Sequence, residues 1–169
     1  MLSVLDVVKN RRSYRKFDDV PVEGEKLQQV LEAGRLSPSA NNQQPWTFIV
    51  VNDSQMKGKL NEAINQNWNS DVILVGCAEP GKSWTREDGQ GYWMVDVAIA
   101  LQSMCLVASD LGLSTCWICA FNEKKVREIL GIPESVKVVS LMAIGYSSTK
   151  KGKVENRKTA EEIIRYNSW

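Results

Sequence analysis

The spacing of apolar residues predicts a chain in which helices alternate with short buried strands. Apolar residues recur every three or four positions in five segments, at 3–12, 23–36, 54–64, 92–110 and 122–131. Continuous apolar runs, typical of buried strands, lie at 46–51, 72–78 and 136–146. Segment 92–110 is apolar on nearly all sides, so we expect it to be the central helix. Together these elements predict an α/β or α+β domain with three to five strands.

Capping residues mark several of the predicted helix ends. Ser3 is the first residue of the pattern at 3–12, and Asn122 is the first residue of the one at 122–131, where each can cap the helix that follows. Thr159 and Glu162 have capping-box spacing near the C-terminus, just before the tail IIRYNSW.

Length and charge narrow the class of protein. The 169 residues, 43% of them hydrophobic, suffice for one substantial core, so we expect 1–169 to form a single domain. Lys and Arg number 21 against 20 for Asp and Glu, and this net charge of +1 predicts neither a nucleic-acid nor a membrane partner. The N-terminus lacks a signal-peptide pattern, and a cytoplasmic location is therefore expected.

The chain contains no histidine, which limits the chemistry that its side chains can perform. The usual neutral-pH general base, the histidine-dependent catalytic triads and the commonest metal ligand are all missing. If the protein is an enzyme, we expect a cofactor to supply the reactive group, with no catalytic side chain and no metal.

The motif CWIC at 116–119 has the spacing of a dithiol redox centre. Such a centre needs its first cysteine at a helix N-terminus, whereas the predicted helix begins at Asn122, beyond both cysteines. The four cysteines, which lie in apolar stretches, are expected to be buried free thiols. A thiol oxidoreductase is therefore the less favoured alternative.

Two polar segments are candidates for ligand binding. Segment 11–16, RRSYRK, carries four cations. They suit a phosphate group, or they simply stabilise the negative end of the dipole of the preceding helix. Segment 37–46, SPSANNQQPW, offers amides suited to the polar edge of a heteroaromatic ring, or to a loop that binds no ligand. Neither G-x-G-x-x-G nor a P-loop motif occurs.

The order of these motifs resembles the nitroreductase family of flavin enzymes over nearly the whole chain. The matching segments are RRSYRKFDD, SPSANNQQPWTFIVV, DLGLSTCWICAF, MAIGYS and the basic loop before a C-terminal Tyr and Trp. The resemblance implies an α+β fold, with a central, mainly antiparallel sheet flanked by helices. It also implies an intertwined homodimer that binds FMN at the subunit interface.

The resemblance also implies a set of FMN-binding residues. Those at the phosphate and ribityl chain are Arg11, Arg12, Ser13, Arg15, Arg157 and Lys158. Those in the loop that reaches the flavin from the other subunit are Pro38, Ser39, Ala40 and Asn42. Asn67 would lie near the polar edge of the ring, and the backbone of Ile118, Cys119 and Ala120 would pack along it. In this arrangement the Cys119 N–H donates to flavin N5.

The implied activity is transfer of hydride from NAD(P)H through FMN to flat electrophiles such as nitroaromatics or quinones, by a ping-pong mechanism. FMN N5 would carry the chemistry, with no side chain as nucleophile. We expect the segment 150–169 to form a basic loop and a tail that packs on the partner subunit. The alternative from another class is a non-catalytic, flavin- or nucleotide-binding regulatory dimer.

Overall fold

The structure is a computed structural model that describes residues 3–64 and 66–169. Its helices are α1 (Val4–Asn10), α2 (Gly24–Arg35), α3 (Ser54–Asn61), α4 (Trp93–Asp110), α5 (Glu123–Leu130) and α6 (Ala160–Ile163). Its strands are β1 (Trp46–Val51), β2 (Val72–Ala78), β3 (Ser114–Ile118) and β4 (Lys137–Gly145). Short 3-10 turns lie at Ala40–Asn42 and Pro80–Lys82.

The four strands form one sheet in the order β1-β2-β4-β3, and every neighbouring pair is antiparallel. The sheet lies at the centre of the fold, since all seven residues of β2 are buried. This arrangement confirms the α+β class and the mainly antiparallel sheet expected from the sequence.

Each face of the sheet is covered by a different pair of helices. Leu60 of α3 and Val126 of α5 pack on one face, together with Phe17 and Trp68. On the other face, α2 and α4 contribute a second apolar cluster that includes Leu101 and Met104. The predicted central helix is therefore confirmed as α4, whose inner side chains are fully buried.

Two glycines allow α4 to approach its neighbours closely. A Cβ at Gly76 would lie 2.8 Å from Leu101 Cδ1, so the missing side chain lets α4 pack directly on β2. A Cβ at Gly34 would lie 1.7 Å from Met104 Cε, so the missing side chain likewise lets α2 pack directly on α4.

The predicted caps are confirmed. Ser3 accepts from the Asp6 N–H in a capping box, and the Asn122 side chain accepts from the Lys125 N–H. The helix predicted over 54–64 ends earlier, at Asn61, because the Glu62, Ala63 and Ile64 N–H groups donate across tight turns. Ala63 and Ile64 still contribute buried side chains to the core.

Candidate functional site

The basic segment near the N-terminus is fixed against the outer edge of β3. Ser13 forms a parallel bridge with Thr115, and the Tyr14 N–H donates to the Thr115 carbonyl at 2.9 Å. Because β3 is an edge strand, this short pairing uses a backbone edge that the sheet leaves open. It places Arg15 beside the residues that follow β3.

The first pocket lies where this segment meets the end of β3, and it has a volume of about 330 Å³. Its lining residues are Arg15, Ile64, Gln66, Trp68, Trp117, Ile118, Cys119 and Ala120. Arg15 is the single cation among these lining residues. The pocket therefore combines an apolar wall with one positive charge, a composition suited to a flat and partly polar ligand.

Both lining tryptophans have indole N–H groups that make no hydrogen bond among the described residues. The Nε1 atoms of Trp68 and Trp117 are both buried and unpartnered. Trp68 is only 3% exposed, so water has little access to its ring. A buried donor without an acceptor is costly, and a ligand in the pocket could supply one.

Cys119 was wrongly predicted to be buried: the structure shows an exposed side chain, because the chain leaves β3 at Ile118. The Ser140 hydroxyl donates to the Ile118 carbonyl at 3.1 Å, which leaves its oxygen free to accept from the Cys119 thiol at 3.8 Å. Among the described residues, no acceptor is recorded for the Cys119 backbone N–H. This donor remains available in the pocket wall.

The other cysteines of the chain are buried and free, as predicted. Burial raises the pKa of the Cys116 thiol, although Arg15 and the Ser13 side chain act in the opposite direction. Burial also raises the pKa of Cys77 to about 11. Cys116 lies within β3, whereas α5 begins at Glu123. The CWIC motif therefore lacks the helix-stabilised thiolate that a dithiol redox centre requires.

A second pocket, of about 770 Å³, is strongly basic. It is lined by Val8, Lys9, Asn10, Arg11, Arg12, Lys153, Val154 and Arg157. Cations from both ends of the chain therefore meet here, with no carboxylate among the lining residues. Such a cluster suits a phosphate group, because guanidinium groups bind its oxygens through charge-assisted hydrogen bonds.

Arg12 differs from the other cations of this basic pocket. Its guanidinium donates to the carbonyl oxygens of Lys9, Arg11 and Gly152, at 2.6, 2.8 and 3.0 Å. These contacts connect the end of α1 to the C-terminal basic loop. Arg12 therefore acts as a structural link, whereas Arg11 and Arg157 have no hydrogen-bond acceptor within the described part of the chain.

Most of the predicted site residues fall into three places, whereas Ser13, Asn67 and Lys158 line neither pocket. Arg15, Ile118, Cys119 and Ala120 meet in the first pocket, and Arg11, Arg12 and Arg157 meet in the basic pocket. Pro38, Ser39, Ala40 and Asn42 line neither pocket. They lie instead near the start of α4, where the Ala40 N–H donates to Asp96 at 2.8 Å.

Several residues at these sites were missed in the sequence. Asn67 accepts from Asn61 at 2.7 Å, and its neighbour Gln66 lines the first pocket instead. Lys151 donates to the Ser13 carbonyl. Asp96 is buried within an otherwise apolar helix, and a lone charge in such a pattern was a signal that could have identified it.

Exposed apolar side chains form patches on α1, on α4 and on the C-terminal tail. Val4 and Leu5 of α1 are 77% and 59% exposed, and Met94 of α4 is 48% exposed. Every residue from 148 to 169 is exposed, although Gly152 and Lys151 form hydrogen bonds with the segment that follows α1. By length and composition α4 could cross a membrane, but it forms the core of this fold.

Comparison with known proteins gives a consistent result. The family model described as the nitroreductase family matches residues 8–73 and 68–146. An FMN reductase [NAD(P)H] of Bacillus subtilis is 32% identical over 172 residues, covering 90% of this chain and 69% of the relative. A crystal structure of a nitroreductase family protein from Clostridium difficile 630 is 32% identical and covers 100% of both chains, with a TM-score of 0.94. An FMN-dependent nitroreductase of Clostridium difficile R20291 is 30% identical and covers 98% of this chain and 99% of its own, with a TM-score of 0.85.

Proposed function

This chain belongs to the nitroreductase family, and from that premise we propose that it is an FMN-dependent oxidoreductase that takes hydride from NAD(P)H. The observation that carries the proposal is the short connection between the two pockets. Arg11 lies in the basic pocket and Arg15 lies in the apolar pocket. Four extended residues span at most about 14 Å, so one ligand with an anionic end and a flat end can occupy both.

The described residues fit FMN at both of its ends. Arg11 and Arg157 would hold the phosphate, which carries up to two negative charges and has oxygens for bidentate pairing. Lys158, which does not line the basic pocket, stays a proposed contributor to the same phosphate. Ile118, Trp68 and Ala120 would contact the ring, and the free N–H of Cys119 would donate to it.

When bound, FMN supplies N5 as the atom that accepts and gives up hydride, which is why a chain without histidine can be an oxidoreductase. Arg15 would stabilise negative charge that develops on the ring, since it is the single cation lining that pocket. The raised pKa of Cys116 keeps its thiol protonated at neutral pH, so it takes no part in the transfer.

We propose further that donor and acceptor bind in turn at the same face of the FMN ring, which corresponds to a ping-pong mechanism. In the proposal the FMN ring fills the apolar pocket beside Arg15, and its exposed face selects flat ligands more than particular functional groups. Nitroaromatics and quinones are the proposed acceptors for that reason. The exposed free thiol of Cys119 suits a reducing compartment and supports the proposed cytoplasmic location.

The proposed homodimer explains the features that one chain leaves apart. The loop with Ser39, Ala40 and Asn42 lies in neither pocket of its own subunit, and in the proposal it reaches the cofactor of the partner. The tail carries exposed Tyr166 and Trp169, which the partner would cover. Large aromatic side chains are costly to leave in water, so their burial would favour the dimer.

The test uses the purified protein and its visible absorbance. The expected result is a yellow dimer whose flavin band bleaches anaerobically with NADH or NADPH and returns on addition of menadione or nitrofurazone. Free FMN with the same reagents is the control for reaction outside the protein. A protein that fails to bind FMN would contradict the proposal. One that binds FMN without bleaching would instead support the regulatory alternative.

A further inference from the structure

Asp96 is a buried carboxylate in an otherwise apolar helix. It lies in the first turn of α4 and is 1% exposed. It is the only charged residue between Trp93 and Ser109. Burying a carboxylate costs free energy unless hydrogen bonds compensate it, and a helix N-terminus reduces that cost only in part. A residue at this position therefore needs a further reason.

The two carboxylate oxygens of Asp96 have different surroundings. Oδ1 accepts from the Ala40 N–H at 2.8 Å, a charge-assisted hydrogen bond. Oδ2 is equally buried and has no hydrogen-bond partner among the described residues. Among the described residues, the hydrogen-bond donor to the Asp96 side chain is thus a single backbone amide of the 38–44 loop.

That loop has an unfavourable backbone conformation. Asn41, Asn42 and Gln44 have φ values of 51°, 54° and 48°, in the left-handed region that residues with a Cβ rarely adopt. Asparagine tolerates this region better than most residues, but glutamine has no such advantage. Three such residues within four positions persist only where surrounding contacts hold the backbone.

The remaining hydrogen bonds of the loop are mostly internal. The Gln44 N–H donates to Ser39 Oγ and the Asn42 N–H donates to the Ser39 carbonyl, both at 2.9 Å. These bonds close the loop on itself without attaching it to the body of the protein. The Ala40 amide is therefore the point in the middle of the loop at which the loop is held to α4.

We propose that Asp96 is a positioning residue that fixes the 38–44 loop, through the Ala40 N–H, in the conformation that binds FMN. The proposal rests on the function proposed above. Asp96 acts on the cofactor only through the loop. Ordering the loop before the ligand arrives lowers the entropic cost of binding, so loss of the contact weakens FMN affinity.

Variants at Asp96 test this role against a purely structural one. Asp96→Asn keeps an oxygen that can accept from Ala40, whereas Asp96→Ala removes it. Asp110→Ala is the matched control, because it removes an exposed carboxylate from the other end of the same helix. Dissociation constants for FMN come from quenching of free FMN fluorescence, and light scattering gives the mass of each variant.

The expected result is at least a tenfold weaker affinity for Asp96→Ala, with Asp96→Asn within threefold of the unsubstituted protein and Asp110→Ala unchanged. An Asp96→Ala variant that binds FMN within twofold of the unsubstituted protein would overturn the inference.

If Asp96→Ala does not fold, Asp96→Leu replaces it, since an apolar side chain fills the same space. Amide hydrogen exchange in the flavin-free protein is an independent check, because an unprotected Ala40 amide would also overturn it. Failure of the unsubstituted protein to bind FMN would reject the proposed function instead.

Discussion

Lys151 donates a hydrogen bond from its ammonium group to the Ser13 carbonyl oxygen at 2.5 Å. The same ammonium lies 5.3 Å from the centre of the Tyr14 ring, within the range of a cation–π contact. The hydrogen bond joins residues 138 positions apart in the chain. They hold the C-terminal basic loop against the segment that pairs with β3, and both parts of the basic pocket depend on that attachment.

Substitution of Lys151 should therefore weaken FMN binding even though Lys151 does not line the basic pocket. Lys151→Met keeps the aliphatic stem and removes the charged donor. Exposed contacts of this kind contribute about 1 kcal/mol, so we expect a three- to tenfold weaker affinity. Lys150→Met is the matched control at the neighbouring exposed lysine. Equal affinities for the two variants would contradict a role for the Lys151 contact.

Arg11→Ala should release FMN from the protein more completely than the Lys151 substitution. Arg11 lines the basic pocket, and in the proposed complex its guanidinium forms charge-assisted bonds to the phosphate. Loss of about 1.5–3 kcal/mol corresponds to a ten- to hundredfold weaker affinity. The flavin content of the purified protein, read from its visible absorbance, measures the effect.

Arg35→Ala is the control for the loss of an arginine from the surface. Arg35 forms an exposed ion pair with Glu32 on α2, and exposed pairs of this kind contribute little. The flavin content of the Arg35→Ala variant should match that of the unsubstituted protein. Undiminished flavin in the Arg11 variant would remove this residue from the site.

The two cysteines of the CWIC motif should respond differently to substitution. Cys119→Ser alters the residue beside the ring, so we expect a shift in the absorbance spectrum or midpoint potential of bound FMN, with turnover retained. Cys116→Ser should have little effect on either, because Cys116 is buried within β3. Loss of turnover in both variants would instead support the thiol oxidoreductase.

The pKa of Cys77 predicts a loss of stability at alkaline pH. A cysteine ionises near pH 9 in the unfolded chain, whereas burial raises the pKa of Cys77 to about 11 in the fold. The contribution of the protonated Cys77 thiol to the free energy of unfolding is complete below pH 9. It falls by about 2 kcal/mol as the pH rises towards 11. Chemical denaturation at several pH values measures the slope. Cys77→Ala should be less stable at pH 7 but should lose less further stability between pH 9 and 11.

Strands β1, β2 and β4, the central helix and the capped helix ends were predictable because each depends on local sequence, whereas β3 was not among the predicted strands. Apolar runs define β1 and β2, and Ser3 and Asn122 cap their helices through contacts three residues away. The order of the strands was not predictable from these patterns. Pairing of β2 with β4 joins segments far apart in the chain, and loop composition does not encode that choice.

The candidate site was predictable only in part, for a similar reason. The residue types of the RRSYRK segment indicated an anion site, but its pairing with β3 depends on an edge that exists only after the sheet forms. The exposure of Cys119 depends on where β3 ends, and an apolar motif does not reveal that position. Gln66 and Asn67 are adjacent polar residues, so only the backbone direction decides which one faces the pocket.

Deletion of the C-terminal tail should separate the proposed dimer into monomers. Ile163, Tyr166 and Trp169 are 65%, 83% and 105% exposed, and nothing on their own subunit covers them within the part of the chain described. In the proposed dimer the partner buries them, at roughly 1.5–3 kcal/mol for each large apolar side chain. A chain ending at residue 158 keeps Arg157 and Lys158 but loses these contacts. Light scattering at micromolar concentration should then give the mass of a monomer, with weaker FMN binding because the partner's loop is no longer in place. Val20→Ser, which alters an exposed apolar residue outside the tail, is the control and should remain dimeric. A shortened chain that stays dimeric and yellow would show that the tail does not form the interface.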